Sequence, residues 1–99
     1  PESIRNLQNL RYLHLQHNLF AELPDWIGQF PELEELNVSA NQLTQIPASV
    51  LDLGKLRLFA VGGNLFEQGS RQYDFFLQIM EKLQQRGVTL RFELLEEGE

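Results

Sequence analysis

Two histidines lie close together in the chain and are the first residues to consider as metal ligands. His14 and His17 are three positions apart, and Glu35 could supply a third ligand. A zinc site needs three or four convergent side chains. On an extended strand, residues three apart point to opposite faces, so the two imidazoles diverge unless the turn at Asn18 redirects His17. The sequence therefore predicts no metal site and no bound cofactor.

Residue patterns of the common enzyme classes are also missing. The chain holds no serine–histidine–acid order, glycine-rich phosphate loop or histidine–glutamate zinc motif. Gly62-Gly63-Asn64 follows a predicted strand, but neither a lysine nor a third glycine comes after it. Glu34 and Glu35 are adjacent, so on a strand they point to opposite sides and cannot act together on one substrate. We predict that this chain is not an enzyme.

Charge and composition argue against further classes. The net charge is −6, and an acidic surface repels phosphate backbones, so no nucleic-acid partner is expected. No stretch approaches eighteen uninterrupted apolar residues, so no membrane span is expected. Cysteine is absent from the sequence, which rules out disulfides and thiolate chemistry within it. Because small secreted domains usually depend on disulfides, this absence favours a reducing compartment, and we expect a cytoplasmic location.

The sequence repeats itself every 23 residues, without an insertion or deletion. The recurring sets are Leu10, Leu33 and Leu56; Leu13, Leu36 and Phe59; Leu15, Val38 and Val61; and Asn18, Asn41 and Asn64. The L-x-L alternation in each copy predicts a short strand whose alternate side chains face inward. One copy cannot bury its own apolar residues, so the copies are expected to stack side by side with parallel strands.

The repeating unit L-x-x-L-x-L-x-x-N-x-L-x-x-L-P-x-x-I-x-x-L resembles the leucine-rich repeat family, in the 23-residue variety that has Leu-Pro after the asparagine. The match covers residues 1 to about 66 and lapses at Gly69 and Ser70, where an apolar residue and a proline are expected. The resemblance implies an α/β fold: a leucine-rich repeat solenoid with a short parallel sheet on its concave side. Asn18, Asn41 and Asn64 are predicted to be structural, because an amide can both donate to and accept from unpaired backbone groups.

The pattern changes from Ser70 onward. Tyr73, Phe76, Leu77, Met80 and Leu83 recur at three- and four-residue steps, which predicts an amphipathic helix over about 70–86. The core is expected to contain Tyr73, Phe76, Leu77 and Met80. Ser70 is the expected N-cap and Gly87 the expected C-terminal stop. Val88, Leu90, Phe92 and Leu94 then alternate with polar residues, which predicts a strand over about 88–94. We expect it to lie parallel to the Phe59 strand, with Phe92 in the position equivalent to Phe59.

These patterns divide the chain into three parts. Residues 1–69 hold about two and a half repeats that start in mid-repeat, residues 70–95 form a C-terminal cap, and residues 96–99 are an acidic tail. At the N-terminal end, Ile4 and Leu7 would stack on a preceding unit, and the first strand would be an unpaired edge. We therefore expect either that the chain is the C-terminal end of a longer array or that this edge pairs with a second copy to form a homodimer.

The outward strand positions are the candidate binding residues, because the family resemblance implies a concave protein-binding face. They include Tyr12, His14, Gln16, Glu35, Asn37, Ser39, Leu58 and Arg91, together with Ala60, Gly62, Thr89 and Glu93. Tyrosine is enriched at binding hot spots, and a leucine side chain on a solvent-facing surface indicates contact with a partner. We predict a protein–protein interaction module that binds a protein partner on this face. The alternative is a structural capping end of a larger repeat protein that carries an enzyme or signalling domain elsewhere.

Two aromatic residues remain outside this scheme. Trp26 falls on the return segment between Pro24 and Ile27, and partial burial is expected from the large apolar area of its indole. Phe75 lies off the apolar stripe of the predicted helix, so it is a candidate for exposure.

Overall fold

Four short strands and one α-helix organise residues 8–92. The structure is a computed structural model, and it describes residues 8–92. The strands are β1 (Tyr12–His14), β2 (Glu35–Asn37), β3 (Leu58–Ala60) and β4 (Thr89–Arg91), and the helix α1 spans Arg71–Gln85. Two 3₁₀ helices, Asp25–Gln29 and Ala48–Asp52, follow β1 and β2. Pro1, Ile4, Leu7, Glu93, Leu94 and the acidic tail, on which several expectations fall, lie outside the described residues.

The strands form one parallel sheet in the order β1-β2-β3-β4. Between the first three strands the register advances by the repeat length, so Leu13, Leu36 and Phe59 lie side by side. Parallel pairing requires a return segment between strands, and here each 3₁₀ helix brings the chain back behind the sheet. The α/β class and the short parallel sheet predicted from the sequence are confirmed.

The core lies between the sheet and the return segments. Leu36, Val38 and Phe59 from the strands are fully buried, as are Ile27 and Val50 from the two 3₁₀ helices. In contrast, Leu13 and Leu15 of the first repeat are only half-buried. Within residues 8–92, β1 has a neighbour on one side alone, and repeat residues lose solvent only where a neighbouring repeat covers them.

Trp26, in the first 3₁₀ helix, is half-buried against the core, as expected. Its indole meets the ring of Phe30 edge to face, with the centroids 6.1 Å apart. Two aromatic rings in this arrangement bring the positive edge of one to the negative face of the other. The contact orients Trp26 along the return segment and holds most of its ring on the core.

Helix α1 replaces the third 3₁₀ return. Ser70 caps it by accepting a hydrogen bond from the Tyr73 backbone N–H at 3.0 Å, and Gly87 follows it at φ +89°, where a side chain would be strained. The buried side chains are Phe76, Ile79, Met80 and Leu83. The prediction that Leu77 belongs to the core was wrong, since its side chain is 44% exposed. Leu77 lies more than a quarter turn from the centre of the buried face, whereas Ile79 lies within that face.

The last strand is shorter than predicted and pairs two residues away from the expected register. Phe59 pairs with Leu90, not with Phe92. The end of the helix fixes this register, because the Val88 N–H donates to the Leu83 carbonyl and the Thr89 N–H to the Arg57 carbonyl. Phe92 follows the strand and is 50% exposed, and its ring lies nearly perpendicular to that of Phe76, with the ring centroids 6.3 Å apart.

Candidate binding face

The outward side chains of the four strands align in two rows across the sheet, which we call the strand face. The first row consists of Tyr12, Glu35, Leu58 and Thr89, and the second of His14, Asn37, Ala60 and Arg91. Gln16, Ser39 and Gly62 continue the face just beyond the ends of β1, β2 and β3. All eight predicted binding residues thus lie on one surface, because parallel strands present equivalent positions side by side.

Exposure falls across this face from the first strand to the third. The Tyr12 and His14 side chains are about half exposed, whereas the Glu35 side chain is 24% exposed. Ala60 is only 8% exposed although it points outward, and Gly62 is buried as well. A short side chain flanked by longer ones loses access to solvent, so Ala60 and Gly62 lie below the tips of the side chains around them, and we call this part of the face the groove at Ala60.

A chain of ion pairs runs across the start of the strands. Glu34 accepts from Arg11 Nε at 3.0 Å and from Arg57 Nε at 3.2 Å. Arg57 Nη2 also reaches Glu35 Oε2 at 3.1 Å, and the other oxygen of Glu35 lies 3.6 Å from His14 Nε2. Two arginines of the face are therefore neutralised by carboxylates of the neighbouring repeat.

Tyr12 is held by the same charged group. The Arg11 guanidinium carbon lies 5.4 Å from the centre of the Tyr12 ring, within the range of a cation–π contact. Arg11 is in turn fixed by Glu34. The Tyr12 ring, although about half exposed, is thus restrained by a side chain that is itself held by an ion pair.

These contacts shift the ionisation of the groups that make them. The hydrogen bond from Arg11, followed by that from Arg57, lowers the pKa of the Glu34 carboxyl. The hydrogen bond with Glu34 raises the pKa of both arginines. Glu34 is consequently ionised at neutral pH, and it serves to link repeats.

Asn37 and Ser39 bind each other on the second strand. Asn37 Oδ1 accepts from the Ser39 N–H at 3.0 Å and from the Ser39 hydroxyl at 2.6 Å. Because a backbone N–H can only donate, the oxygen of the amide must face Ser39 and the Nδ2 group must face away. The Oδ1 acceptor of Asn37 is used locally, while the two N–H donors of its amide remain on the face.

Metal ligands do not converge here. Within residues 8–92, no three of the histidines, aspartates and glutamates are grouped closely enough to hold a metal ion. His17 is exposed and has φ +62°, in the turn that follows β1. Of the helices formed between residues 8 and 92, none combines the length and apolar character that a membrane crossing requires.

Comparison with known proteins agrees with the repeat geometry. The family model for leucine-rich repeats in two copies matches residues 8–55. A solved leucine-rich repeat protein of Leptospira interrogans superimposes with a TM-score of 0.76 at 26% identity, over 93% of this chain and 22% of that one. The chain contains leucine-rich repeats.

Relatives of known description are much longer than this leucine-rich repeat chain. An adenylate cyclase of Schizosaccharomyces pombe is 44% identical over 57 residues, which is 58% of this chain and 3% of that protein. Receptor-like protein 47 of Arabidopsis thaliana is 31% identical over 68% of this chain and 9% of its own length. Bovine osteomodulin is 33% identical over 61% of this chain and 14% of its own length. The chain therefore spans a small fraction of the length of the relatives that it matches.

The asparagines of the leucine-rich repeats support the strand face from below. Asn41 donates to the carbonyls of Leu15, Val38 and Ser39 and accepts from the Phe20 N–H. Asn64 makes the equivalent bonds one repeat later, donating to the Val38, Val61 and Gly62 carbonyls and accepting from the Leu43 N–H. Both amides reach back into the preceding repeat. Asn18 is exposed, and within the described residues it donates to Leu15 and Gln16 of its own turn.

Sequence reasoning missed the charged column formed by Arg11, Glu34 and Arg57. A signal was present, since the three residues occupy the same repeat position at steps of 23 and alternate in charge. Equivalent positions of adjacent repeats lie side by side, so opposite charges there pair across the strands. The same reasoning applies to Glu32 and Lys55, whose charged groups are 2.8 Å apart.

Proposed function

We propose that the chain is a protein–protein interaction module that binds its partner on the strand face. Leucine-rich repeats are protein-binding modules, and this membership supports the general role. The observation that carries the specific proposal is the alignment of Tyr12, Glu35 and Leu58 in one row beside His14 and Asn37 in the next. An ordered aromatic ring, polar groups and a half-buried leucine on one surface are typical of a binding site.

Binding rather than catalysis accounts best for the acidic side chains of this face. Glu34 and Glu35 are held by arginines of the adjacent repeats, and the lowered pKa of Glu34 makes it a poor proton donor near neutral pH. A general acid or base needs a pKa close to the working pH. We infer that the chain itself contributes recognition and no chemical step.

A structural capping role is the second candidate function. It is favoured by the change after β3, where a 15-residue helix takes the place of a 3₁₀ return. Phe76 and Leu83 of this helix are buried, and Arg86 Nη1 donates to the Leu51 carbonyl of the second 3₁₀ helix at 2.9 Å. Terminal repeats need such a cover, so α1 would stabilise an array in which other repeats bind the partner.

Site-directed photo-crosslinking separates these two functions. Tyr12 and Phe75 are 46% and 45% exposed, and they lie on the strand face and on α1 respectively. Each is replaced in turn by benzoylphenylalanine, and crosslinked partners in extracts of the source cells are identified. The interaction proposal requires a specific product from position 12, with position 75 as the matched control.

The identified partner is then purified and titrated against variants of the chain. We expect the double variant Tyr12→Ala, His14→Ala to lose at least about tenfold in affinity, since hot-spot side chains contribute about 2 kcal/mol or more. Phe75→Ala should bind like the unchanged chain. No specific crosslink at position 12, together with unchanged affinity in the double variant, would favour the capping role.

A further inference from the structure

We propose that the strand face takes a carboxylate side chain of the partner over Ala60, between Asn37 and Arg91. This inference rests on the proposed function and defines the chemistry of its partner. Ala60 lies between Asn37 and Arg91 in one row of the sheet, so the two long side chains flank a methyl group. Ala60 itself is buried, so the carboxylate lies above its methyl group, between the side chains of Asn37 and Arg91, whose α-carbons are about 10 Å apart.

Arg91 supplies the charge for this site. Arg91 lies on the strand face, and Arg11 and Arg57 lie beside it at the start of the strands. Arg11 pairs with Glu34, and Arg57 pairs with both Glu34 and Glu35. Arg91 is exposed and its guanidinium makes no ion pair or hydrogen bond within residues 8–92. A guanidinium presents paired N–H donors that match the two oxygens of a carboxylate.

Asn37 supplies donors from the opposite side. Its oxygen is occupied by the N–H and hydroxyl of Ser39, so its Nδ2 group is the free end of the amide. Both walls of the groove at Ala60 therefore offer N–H groups. A negatively charged group that accepts hydrogen bonds can bind the N–H groups of both Asn37 and Arg91. An ammonium or guanidinium group would face donors on each side.

The same face of β3 adds a second recognition element, for an apolar side chain of the partner. Leu58 lies two residues before Ala60 on the same face of β3, and its side chain is half-buried. In an extended partner segment, side chains two positions apart also share a face, at about 6.6 Å. The ligand is consequently an extended peptide segment in which an apolar residue and an aspartate or glutamate are separated by one position.

Peptide selection tests this assignment directly. A display library of random twelve-residue peptides is selected against the 99-residue chain, and the best peptide is labelled with fluorescein for titration. We expect enrichment of an acidic residue spaced by one position from an apolar residue. Arg91→Gln should weaken binding of that peptide about tenfold or more, because hydrogen bonds to charged groups are among the strongest.

Two controls make the result specific to Arg91. Arg71→Gln removes the same charge from the exposed first turn of α1 and should leave the affinity unchanged. The peptide with its acid replaced by the amide should bind weakly to the unchanged chain and be insensitive to Arg91→Gln. Arg91→Glu should restore binding to the peptide in which the acid is replaced by lysine.

The outcomes also distinguish this inference from the proposed function. Selected peptides that crosslink at position 12 but bind equally as acid and amide would overturn the carboxylate site and leave the strand face as the binding surface. Peptides that crosslink at position 75 and not at position 12 would overturn both. Equal losses of peptide affinity in Arg91→Gln and Arg71→Gln would show a general charge effect and would also overturn the assignment.

Discussion

Gly28 and Ser49 approach so closely that a Cβ atom added to Gly28 would overlap the Ser49 carbonyl oxygen. The two residues belong to consecutive 3₁₀ helices, which pack against each other behind the sheet. Only a residue without a side chain allows this distance between the returns. The spacing of the repeats at the back of the sheet is thus set by a backbone contact as well as by the apolar core.

Gly28→Ala should destabilise the fold by about 1–3 kcal/mol, the usual penalty for forcing extra atoms into a packed region. Gly54→Ala is the matched control, since a Cβ atom there meets no atom within 4 Å. It should change the free energy of unfolding by less than about 0.5 kcal/mol. Urea denaturation of the three proteins measures both effects, and equal stability of the two variants would contradict the close approach.

Asn41→Ala should destabilise the chain far more than Asn18→Ala does. Removing the Asn41 amide leaves the Phe20 N–H of the preceding repeat without its partner and takes one of two donors from the Leu15 carbonyl, and Asn41 is only 6% exposed. We expect the free energy of unfolding to fall by about 2–4 kcal/mol in Asn41→Ala. It should fall by less than about 1 kcal/mol in Asn18→Ala, because Asn18 is exposed. Thermal unfolding followed by circular dichroism ranks the two, and the reverse order would disprove the cross-repeat role.

The sequence was sufficient to predict the repeated part of the fold, for a definite physical reason. Leu36 and Phe59 recur at the repeat length, and a strict period allows one parallel register between β2 and β3. Each predicted strand is present, and the outward positions of Tyr12, Glu35 and Leu58 follow from the same alternation. Periodicity therefore determined which side chains share the strand face.

Features outside the period could not be predicted in the same way. An alternation of period two is unchanged by a shift of two residues, so it could not choose between Leu90 and Phe92 as the partner of Phe59. Leu77 lies three or four residues from Met80 and Tyr73, and Ile79 lies three or four residues from Phe76 and Leu83. Both therefore fit a helical stripe, and the packing of the helix decides between them. The groove at Ala60 depends on the side chains of the neighbouring strands, which a single repeat does not contain.

Glu34→Gln should reduce stability near neutral pH and have no effect in acid. The folded-state pKa of Glu34 is lowered, so its stabilising effect is present above the unfolded glutamate pKa of about 4.3 and is lost as pH falls through the folded value. The unfolding temperatures of the unchanged chain and the variant should differ at pH 7 and converge at pH 2–3. Added salt at 0.5 M should shrink the difference at pH 7, because the ion pairs are near the surface.

Glu22→Gln provides the comparison for this titration. Glu22 is exposed and has no ion pair within the described residues. The Glu22→Gln variant should leave the pH dependence of the unfolding temperature unchanged. A profile altered equally by both variants would mean that total charge, and not the bridge between Arg11 and Arg57, sets the acid sensitivity.

Ile79→Ala and Leu77→Ala test which face of α1 covers the end of the core. Ile79 is 2% exposed and Leu77 is 44% exposed, although both are apolar residues near the middle of the same helix. Truncating Ile79 leaves a cavity beneath the helix and should reduce the free energy of unfolding by about 2–5 kcal/mol. Leu77→Ala removes atoms that largely face solvent, and alanine favours the helix, so its effect should stay below about 1 kcal/mol. Denaturation in urea measures both. If the two losses were similar, the helix would have to be rotated toward the stripe that its spacing first indicated, and Leu77 would belong to the core.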